Sequence, residues 1–398
     1  MSTTGFEVRM IDEKRALDHL MALLRIEGLS GREGHIAAEV RKRLSAAGCK
    51  PSWMKHDNAH KRIGRSYEVG NLILRIPGKG SLRSQPRRLL SGHMDTVPLC
   101  RGAVPVMSGD RVISRNDTAL GGDDRTAVAA LITVVETLLR NGLPRPPLTF
   151  LFTVGEESGL YGSRYVDVNA LGHPAFGFNV DGGYPDVAVV GAIGGDGWRA
   201  DVYGRSAHAG LHPDRGISAA LIASLAISDV SRLGYFGKIE IDGRRGTANV
   251  GSITGGEATN QVTDYVRVTG ECRSHSKAFL RSITAVYRRA FADAAKQVRN
   301  NRGERGRVEF AARRSYNPFK ISERSEPVRR SKSAIALLGG EAKLAIANGG
   351  LDANNLSAKG IPTVTLGAGQ HNPHTVDEYI DIGEYLEGCR LLALLATG

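Results

Sequence analysis

Apolar residues recur at helical spacing over Lys14–Ile26 and again over His35–Ala47, so the chain opens with two amphipathic helices. Short, nearly unbroken apolar runs of strand length follow at Asn71–Ile76, Arg88–Ser91, Leu148–Val154 and Phe176–Val180. A long helical pattern from about Asp123 to Arg140 separates the second run from the third. Alternation of strand and helix predicts an α/β layer fold.

The texture changes after Gly194–Gly197. Arg199–Tyr203 alternates as a strand, Gly216–Arg232 reads as a helix, and Thr247–Ile253 and Tyr265–Cys272 read as strands. The helix Lys277–Val298 and the strand Arg307–Ala312 complete a compact α+β unit of ferredoxin-like character, with two helices able to cover one face of an antiparallel sheet. After Asn317-Pro318 the α/β alternation returns, with a helix near Glu326–Leu338, a strand at Pro362–Leu366 and a last helix through Ile382–Ala396. The simplest organisation is one domain built from both chain ends, 1–197 and 313–398, with a second domain, 198–312, inserted between them.

The length of 398 residues suits two or three domains with real cores. Lysine and arginine exceed aspartate and glutamate by 53 to 41, a net charge of +12 that raises the question of a polyanionic partner. The arginine clusters Arg244-Arg245, Arg313-Arg314 and Arg329-Arg330 are scattered and lack interleaved aromatics, so no nucleic-acid partner is expected. The cysteines, Cys49, Cys100, Cys272 and Cys389, form no CxxC and point neither to a disulfide framework nor to a cysteine zinc site. The first fifteen residues contain early acids and no apolar run of the signal-peptide kind, and the most apolar helical stretch, Ala127–Leu139, is too short for a bilayer. A cytoplasmic protein with no membrane partner is expected.

His93 and Asp95 stand just past an apolar strand in Ser91-Gly92-His93-Met94-Asp95-Thr96, and residues two apart in an extended chain share a face. An imidazole and a carboxylate thus emerge together at a strand's carboxyl end, where open α/β sheets bind ligands. Alone, the pair reads more simply as a histidine satisfied by its neighbour. Asp123-Asp124 follows Gly121-Gly122 and opens the long helix, either as acids favoured by the helix dipole or as a carboxylate bridging two cations. Glu156-Glu157 follows a strongly apolar strand; adjacent side chains diverge there, so one can hold a metal while the other handles the proton of a water. Asp181 ends another strand, and His374 lies in His371-Asn372-Pro373-His374-Thr375-Val376-Asp377-Glu378. Each feature has a plain structural reading, but their recurrence at successive strand ends of one framework favours a metal site.

The HxDT, GxDD, GEE, VDGG and HTxDEY elements, in this order, resemble the zinc metallopeptidase family that includes aminoacylase, carboxypeptidase G and peptidase T. The segments His93-Met94-Asp95-Thr96-Val97, Gly204-Arg205-Ser206-Ala207-His208-Ala209-Gly210, Thr259-Asn260-Gln261-Val262 and Glu271-Cys272-Arg273-Ser274-His275 look most like the peptidase T branch, the tripeptide aminopeptidases. The resemblance covers the chain from about Lys14 onward. It implies a catalytic α/β domain whose mixed sheet is flanked by helices, with the inserted domain as a lid and dimerisation domain, and a homodimer acting on short peptides. It further implies two Zn²⁺ ions per subunit, with Co²⁺ or Mn²⁺ as substitutes that the same ligands accept. His93 and Asp181 would hold one ion, Glu157 and His374 the other, and Asp123 would bridge them. Asp95 would orient His93, Glu156 would act as general base and acid, and His208 would stabilise the oxyanion, in the family typically from a neighbouring subunit. Asn260 and Arg273 match positions associated with substrate binding, and a guanidinium suits a peptide's terminal carboxylate.

Where the family commonly has lysine after the bridging acid, this chain has Arg125. His371 rivals His374, but Thr375-Val376-Asp377-Glu378 fixes the match on His374. His212, His275 and Asp352 receive no role. The expected activity is release of the N-terminal residue of tripeptides; a carboxypeptidase, a dipeptidase and an N-acyl amino acid deacylase remain alternatives, because the metal residues do not separate them. A non-catalytic relative would be expected to show an altered Glu156 or a missing ligand, and neither is seen.

Overall fold

The computed structural model describes residues 11–64 and 66–398, so the segment 1–10, read above for a leader, lies outside the described residues. In chain order come α1 (Glu13–Leu24), α2 (Gly34–Ala46), β1 (Met54–His56), β2 (Leu72–Ile76), β3 (Arg88–His93), β4 (Pro105–Ser108), β5 (Arg111–Ser114), α3 (Gly122–Arg140), β6 (Leu148–Thr153), β7 (Phe176–Val180) and β8 (Val187–Ala192). Then follow β9 (Gly194–Tyr203), α4 (Ala219–Arg232), β10 (Gly237–Ile241), β11 (Arg244–Gly255), β12 (Tyr265–Ser274), α5 (Lys277–Gln297) and β13 (Arg307–Tyr316). The chain closes with β14 (Phe319–Lys320), α6 (Glu326–Leu337), β15 (Lys343–Ala347), α7 (Asp352–Ala358), β16 (Thr363–Leu366), β17 (Gln370–His371), β18 (Tyr379–Asp381) and α8 (Ile382–Thr397).

These elements form two compact units, one of the described residues up to Gly191 together with Lys320–Gly398, the other Ala192–Phe319. Divisions at 197/198 and 312/313 would cut β9 and β13, which begin at Gly194 and run to Tyr316. Because those strands pair with each other along almost their whole lengths, they carry the unit's limits outward.

In the first unit the main sheet runs β1-β2-β6-β3-β7-β16-β8. β3 is parallel to both β6 and β7, and β16 is parallel to β7, while β1, β2 and β8 join antiparallel. This is the mixed α/β sheet expected from the alternation. β3, β6, β7 and β16 are buried at every position, which is why their sequences read as continuous apolar runs: helices cover both faces. Of α3, packed against β3, nearly every residue from Thr126 to Leu138 is buried. Each fully buried Leu, Val or Phe contributes roughly 1.5–3 kcal/mol, so this layer is a rigid base. The parallel pairing also brings the carboxyl ends of β3, β6 and β7 to one edge.

A small sheet, β17-β18-β5-β4, was not anticipated. Its strands are too short to show a period. A local signal did exist in Gly109-Asp110, a two-residue hairpin loop between Ser108 and Arg111 whose Gly109 has φ 63°, as the first position of a II′ turn demands.

The second unit is an antiparallel sheet, β10-β11-β12-β9-β13, against which α4 and α5 pack, around Trp198, Val202, Ile222, Val268, Ile283, Tyr287 and Phe291.

Candidate metal centre

Parallel pairing sets His93 beside Thr153 at the ends of β3 and β6, and Asp181 follows directly on β7. Asp95 beyond β3 and Glu156 and Glu157 beyond β6 complete the neighbourhood, because the chain turns at each strand end. His93 is buried, and its Nδ1 lies 3.0 Å from the main-chain oxygen of Asp95. Facing a carbonyl, Nδ1 carries the proton and leaves the Nε2 lone pair for a ligand. Nε2 is 3.0 Å from Oδ1 of Asp123.

Asp123 stands at the start of α3, joined to Asp124 by a cis peptide bond. Its second oxygen, Oδ2, lies 3.2 Å from Nε2 of His374, which is itself 2.9 Å from Oε1 of Glu157. The two oxygens of one carboxylate therefore face two different histidines. Two donors that share one ion at roughly 2.0–2.1 Å each stand about 3.0–3.4 Å apart, so these separations fit a cation between each pair. Among the described residues, donor atoms of His93, Asp123 and Glu157 all lie within 4.8 Å of one another. Asp181 is not in that group; its Oδ1 is 3.5 Å from Nε2 of Gln370, whose Oε1 accepts from Thr126 Oγ1 at 3.0 Å.

The electrostatics also suit a cation. Burial pushes the Asp181 carboxyl well above the usual range, and the charge of Asp123 adds to it. Burial likewise raises Glu157 against the opposing hydrogen bond from His374. For Asp123 the burial cost is outweighed by the two histidines, which hold its carboxyl low; His374 in turn is pushed up to about 10 by Asp123 and Glu157. Three carboxylates crowded around two imidazoles form an anionic cradle.

Glu156 is buried and its carboxyl is raised well above the usual range, first by burial and then by Asp181, Asp352 and Glu157, with His93 opposing. Its backbone is fixed by Asp95, whose Oδ1 accepts the Glu156 amide at 3.0 Å. Oδ2 of Asp95 accepts the Glu157 amide at 3.1 Å and the Ser30 hydroxyl at 2.6 Å. The Asp95 carboxylate is 3.5 Å from His93 Nδ1. Its carboxylate thus fastens the turn carrying the two glutamates, and its main-chain carbonyl makes the closer contact with the histidine.

The roles of several residues at the site escaped the sequence reading. Glu378 accepts the amides of Leu120 at 2.7 Å, Gly121 at 2.8 Å and Asp123 at 2.9 Å, and so shapes the turn that presents Asp123. Asp124 turns away from the cradle and accepts the His93 amide at 3.0 Å. Buried Arg125 donates to the carbonyls of Met94 and Ile26, bracing the loop after β3. All three sit in segments already singled out, but the groups they hold lie at sequence separations that no local pattern encodes. His371 is taken by Glu384 at 2.5 Å and stacks on Tyr379, whereas His374 faces Asp123 and Glu157. Asp352 is buried and accepts from Thr153 Oγ1.

The remaining candidates lie in the second unit. His208 is exposed, and its Nδ1 accepts the amides of Gly210 at 3.2 Å and Leu211 at 3.1 Å, which leaves the proton on Nε2. Asn260 is exposed and its carbonyl accepts the Ala209 amide at 2.9 Å. Arg273, on β12, forms a two-point pair with Glu271 at 2.9 and 3.0 Å.

Histidine and carboxylate donors gathered near the carboxyl ends of parallel strands, with a buried acid beside them, make a candidate metal site of the kind hydrolases use on an α/β fold. The profile of peptidase family M20/M25/M40 matches residues 89–398, and the chain belongs to that family, whose members are metal-dependent peptidases. The protein YqjE of Bacillus subtilis is 31% identical over 387 residues, 97% of this chain and 98% of that one. Among solved structures, aminopeptidase PepT from Bacillus cereus superposes with a TM-score of 0.83 at 29% identity, covering 97% of this chain and 98% of its own. A tripeptidase from Staphylococcus aureus superposes with a TM-score of 0.84 at 29% identity, covering 98% of each.

Proposed function

We propose that this chain is a dinuclear zinc aminopeptidase that releases the N-terminal residue of short peptides, tripeptides among them. The observation that carries the reading is Asp123, with one oxygen 3.0 Å from His93 and the other 3.2 Å from His374. In this reading His93 and Asp181 would hold one ion, Glu157 and His374 would hold the other, and Asp123 would serve both. When bound, the ions supply Lewis acidity to a water and to the scissile carbonyl. Glu156, buried and with its proton affinity raised, takes the proton of the attacking water and returns it to the departing amine. Asp95 keeps Glu156 and Glu157 in place and holds the His93 ring. His208, with its proton on Nε2, is equipped to donate to the oxyanion. Arg273 and Asn260 receive the far end of the peptide.

The choice of the amino end rests on the aminopeptidase and tripeptidase at 29% identity. A homodimer belongs to the same reading; on α4 the exposed Ala220, Leu221, Ser224 and Ser228 carry no charge, and the exposed Arg232 one turn beyond them is paired with Asp229. Four buried free thiols support a reducing, cytoplasmic setting, and among the described residues no helix is long and apolar enough to cross a membrane. Glu156→Gln should retain both ions by elemental analysis and lose turnover by a factor of about 10² or more; near-full activity in that variant would overturn the mechanism.

A further inference from the structure

Glu33 precedes α2, at the position where a Ser, Thr, Asp or Asn side chain ordinarily caps the helix and a negative charge is favoured by its dipole. It does not do so here: its side chain makes no capping hydrogen bond and is fully buried. Oε1 instead accepts the amide of Gly155 at 2.9 Å, 122 residues away in sequence; the amides of Gly31 and of Glu33 itself also face the carboxylate, but Oε2 makes no well-formed hydrogen bond. A buried carboxylate oxygen without a partner is costly, and such a cost persists where the group serves a purpose other than stability.

Gly155 is the residue before Glu156. Its amide and the next two in the chain are taken in sequence by two carboxylates, Gly155 by Glu33, Glu156 and Glu157 by Asp95. Successive amides turned toward an acceptor in this way form an anion-binding concavity. Gly155 adopts φ 61°, and a Cβ there would stand 2.6 Å from the ring of Tyr67, whose hydroxyl is 2.7 Å from Ser158 Oγ. Of the three amides, only that of Gly155 is anchored from outside the strand-end loops that bear the metal-site residues. Without Glu33 the Gly155 amide loses its acceptor while the Gly155 carbonyl keeps the Tyr161 amide at 3.0 Å, and the loosened peptide joins directly to Glu156, whose amide keeps Asp95; Glu157 keeps both Asp95 and His374.

We infer that Glu33 is a positioning residue for the reaction, holding Gly155 so that the Glu156 carboxylate points at the water. The inference rests on the role of Glu156 proposed above. A displacement of about 1 Å at a catalytic group can cost about 10²-fold in rate. Four proteins test it: the zinc-loaded wild type, Glu33→Ala, Glu33→Gln, which keeps an acceptor oxygen at the same reach, and Glu33→Asp, which keeps the charge but withdraws it by one methylene. Kinetics on a tripeptide, bound zinc and backbone hydrogen exchange of the segment 154–160 are measured for each. Glu33→Ala should keep its zinc and its KM, lose kcat by about tenfold or more, and exchange faster across 154–160 but not in α8. Glu33→Gln should restore both, and Glu33→Asp should not, so the contrast between those two variants decides the matter if Glu33→Ala does not fold. Unchanged kcat and exchange in Glu33→Ala and Glu33→Asp would overturn the inference. So would losses that Glu33→Gln fails to restore. If the wild type cleaves no peptide, the functional reading fails separately, and the exchange data still show whether Glu33 holds the loop.

Discussion

The carboxylate of Glu378 grips the backbone of Asp123, accepting its amide at 2.9 Å across 255 residues of sequence, while its other oxygen takes the amides of Leu120 and Gly121. Burial lifts this carboxyl to about 6 in spite of those bonds. Removing the negative charge loosens the turn that aims Asp123 at two histidines. Glu378→Gln is therefore expected to bind zinc about tenfold to a hundredfold more weakly, as titration calorimetry would show. Wild-type affinity would mean that α3 alone sets the position of Asp123.

The two histidines three residues apart should separate cleanly. His374 faces Asp123 and Glu157, whereas His371 is held by Glu384 at 2.5 Å. His374→Ala should lose one equivalent of zinc and nearly all turnover. His371→Ala should keep both ions and lose about 1 kcal/mol of stability. Metal analysis of the two purified variants decides it, and a reversed pattern would exchange their roles.

Glu33 also makes a prediction in pH. Its carboxyl is raised to about 7, by burial first and then by Asp95. Arg125 and Tyr67 also feel its charge, and the neighbouring Glu68 is bonded to the Gly34 amide. Since the folded-state value lies above the unfolded one, the protonated form favours folding. Its contribution is complete below about 4.5 and is lost as pH rises through about 7. Glu33→Gln removes this term, so it should gain on the order of 3 kcal/mol on wild type between pH 4.5 and pH 8. Urea unfolding of the metal-free proteins at both values measures it, and a gain independent of pH would count against a buried, titrating Glu33.

Arg273 is paired at two points with Glu271 on the same strand, at 2.9 and 3.0 Å. If it receives a peptide's terminal carboxylate, Glu271 competes for the same guanidinium. Glu271→Gln should then lower KM severalfold for free tripeptides and leave C-terminally amidated ones unaffected. Equal changes for both substrates would remove Arg273 from carboxylate recognition.

The sequence made some of this legible and hid the rest for physical reasons. Strands buried on both faces, such as Leu148–Thr153 and Phe176–Val180, announce themselves as apolar runs, and polar groups just beyond them stand out by contrast. His93, Glu156 and Asp181 were visible in that way. β4, β5, β17 and β18, of two to four residues each, are too short for any period to emerge. The braces were hidden more deeply. Glu33, Glu378 and Arg125 act on backbone groups of distant segments, through contacts that folding creates and no spacing records. Asp95 was legible as a partner of His93, but not as the acceptor for the amides of Glu156 and Glu157.

The most direct test of the central claim is to incubate the zinc-reconstituted protein with a tripeptide of three different residues and identify the products by mass spectrometry. The account predicts the free N-terminal residue and the remaining dipeptide, abolished by chelation and restored by zinc. Release of the C-terminal residue, or no cleavage by a protein carrying its metal, would contradict it.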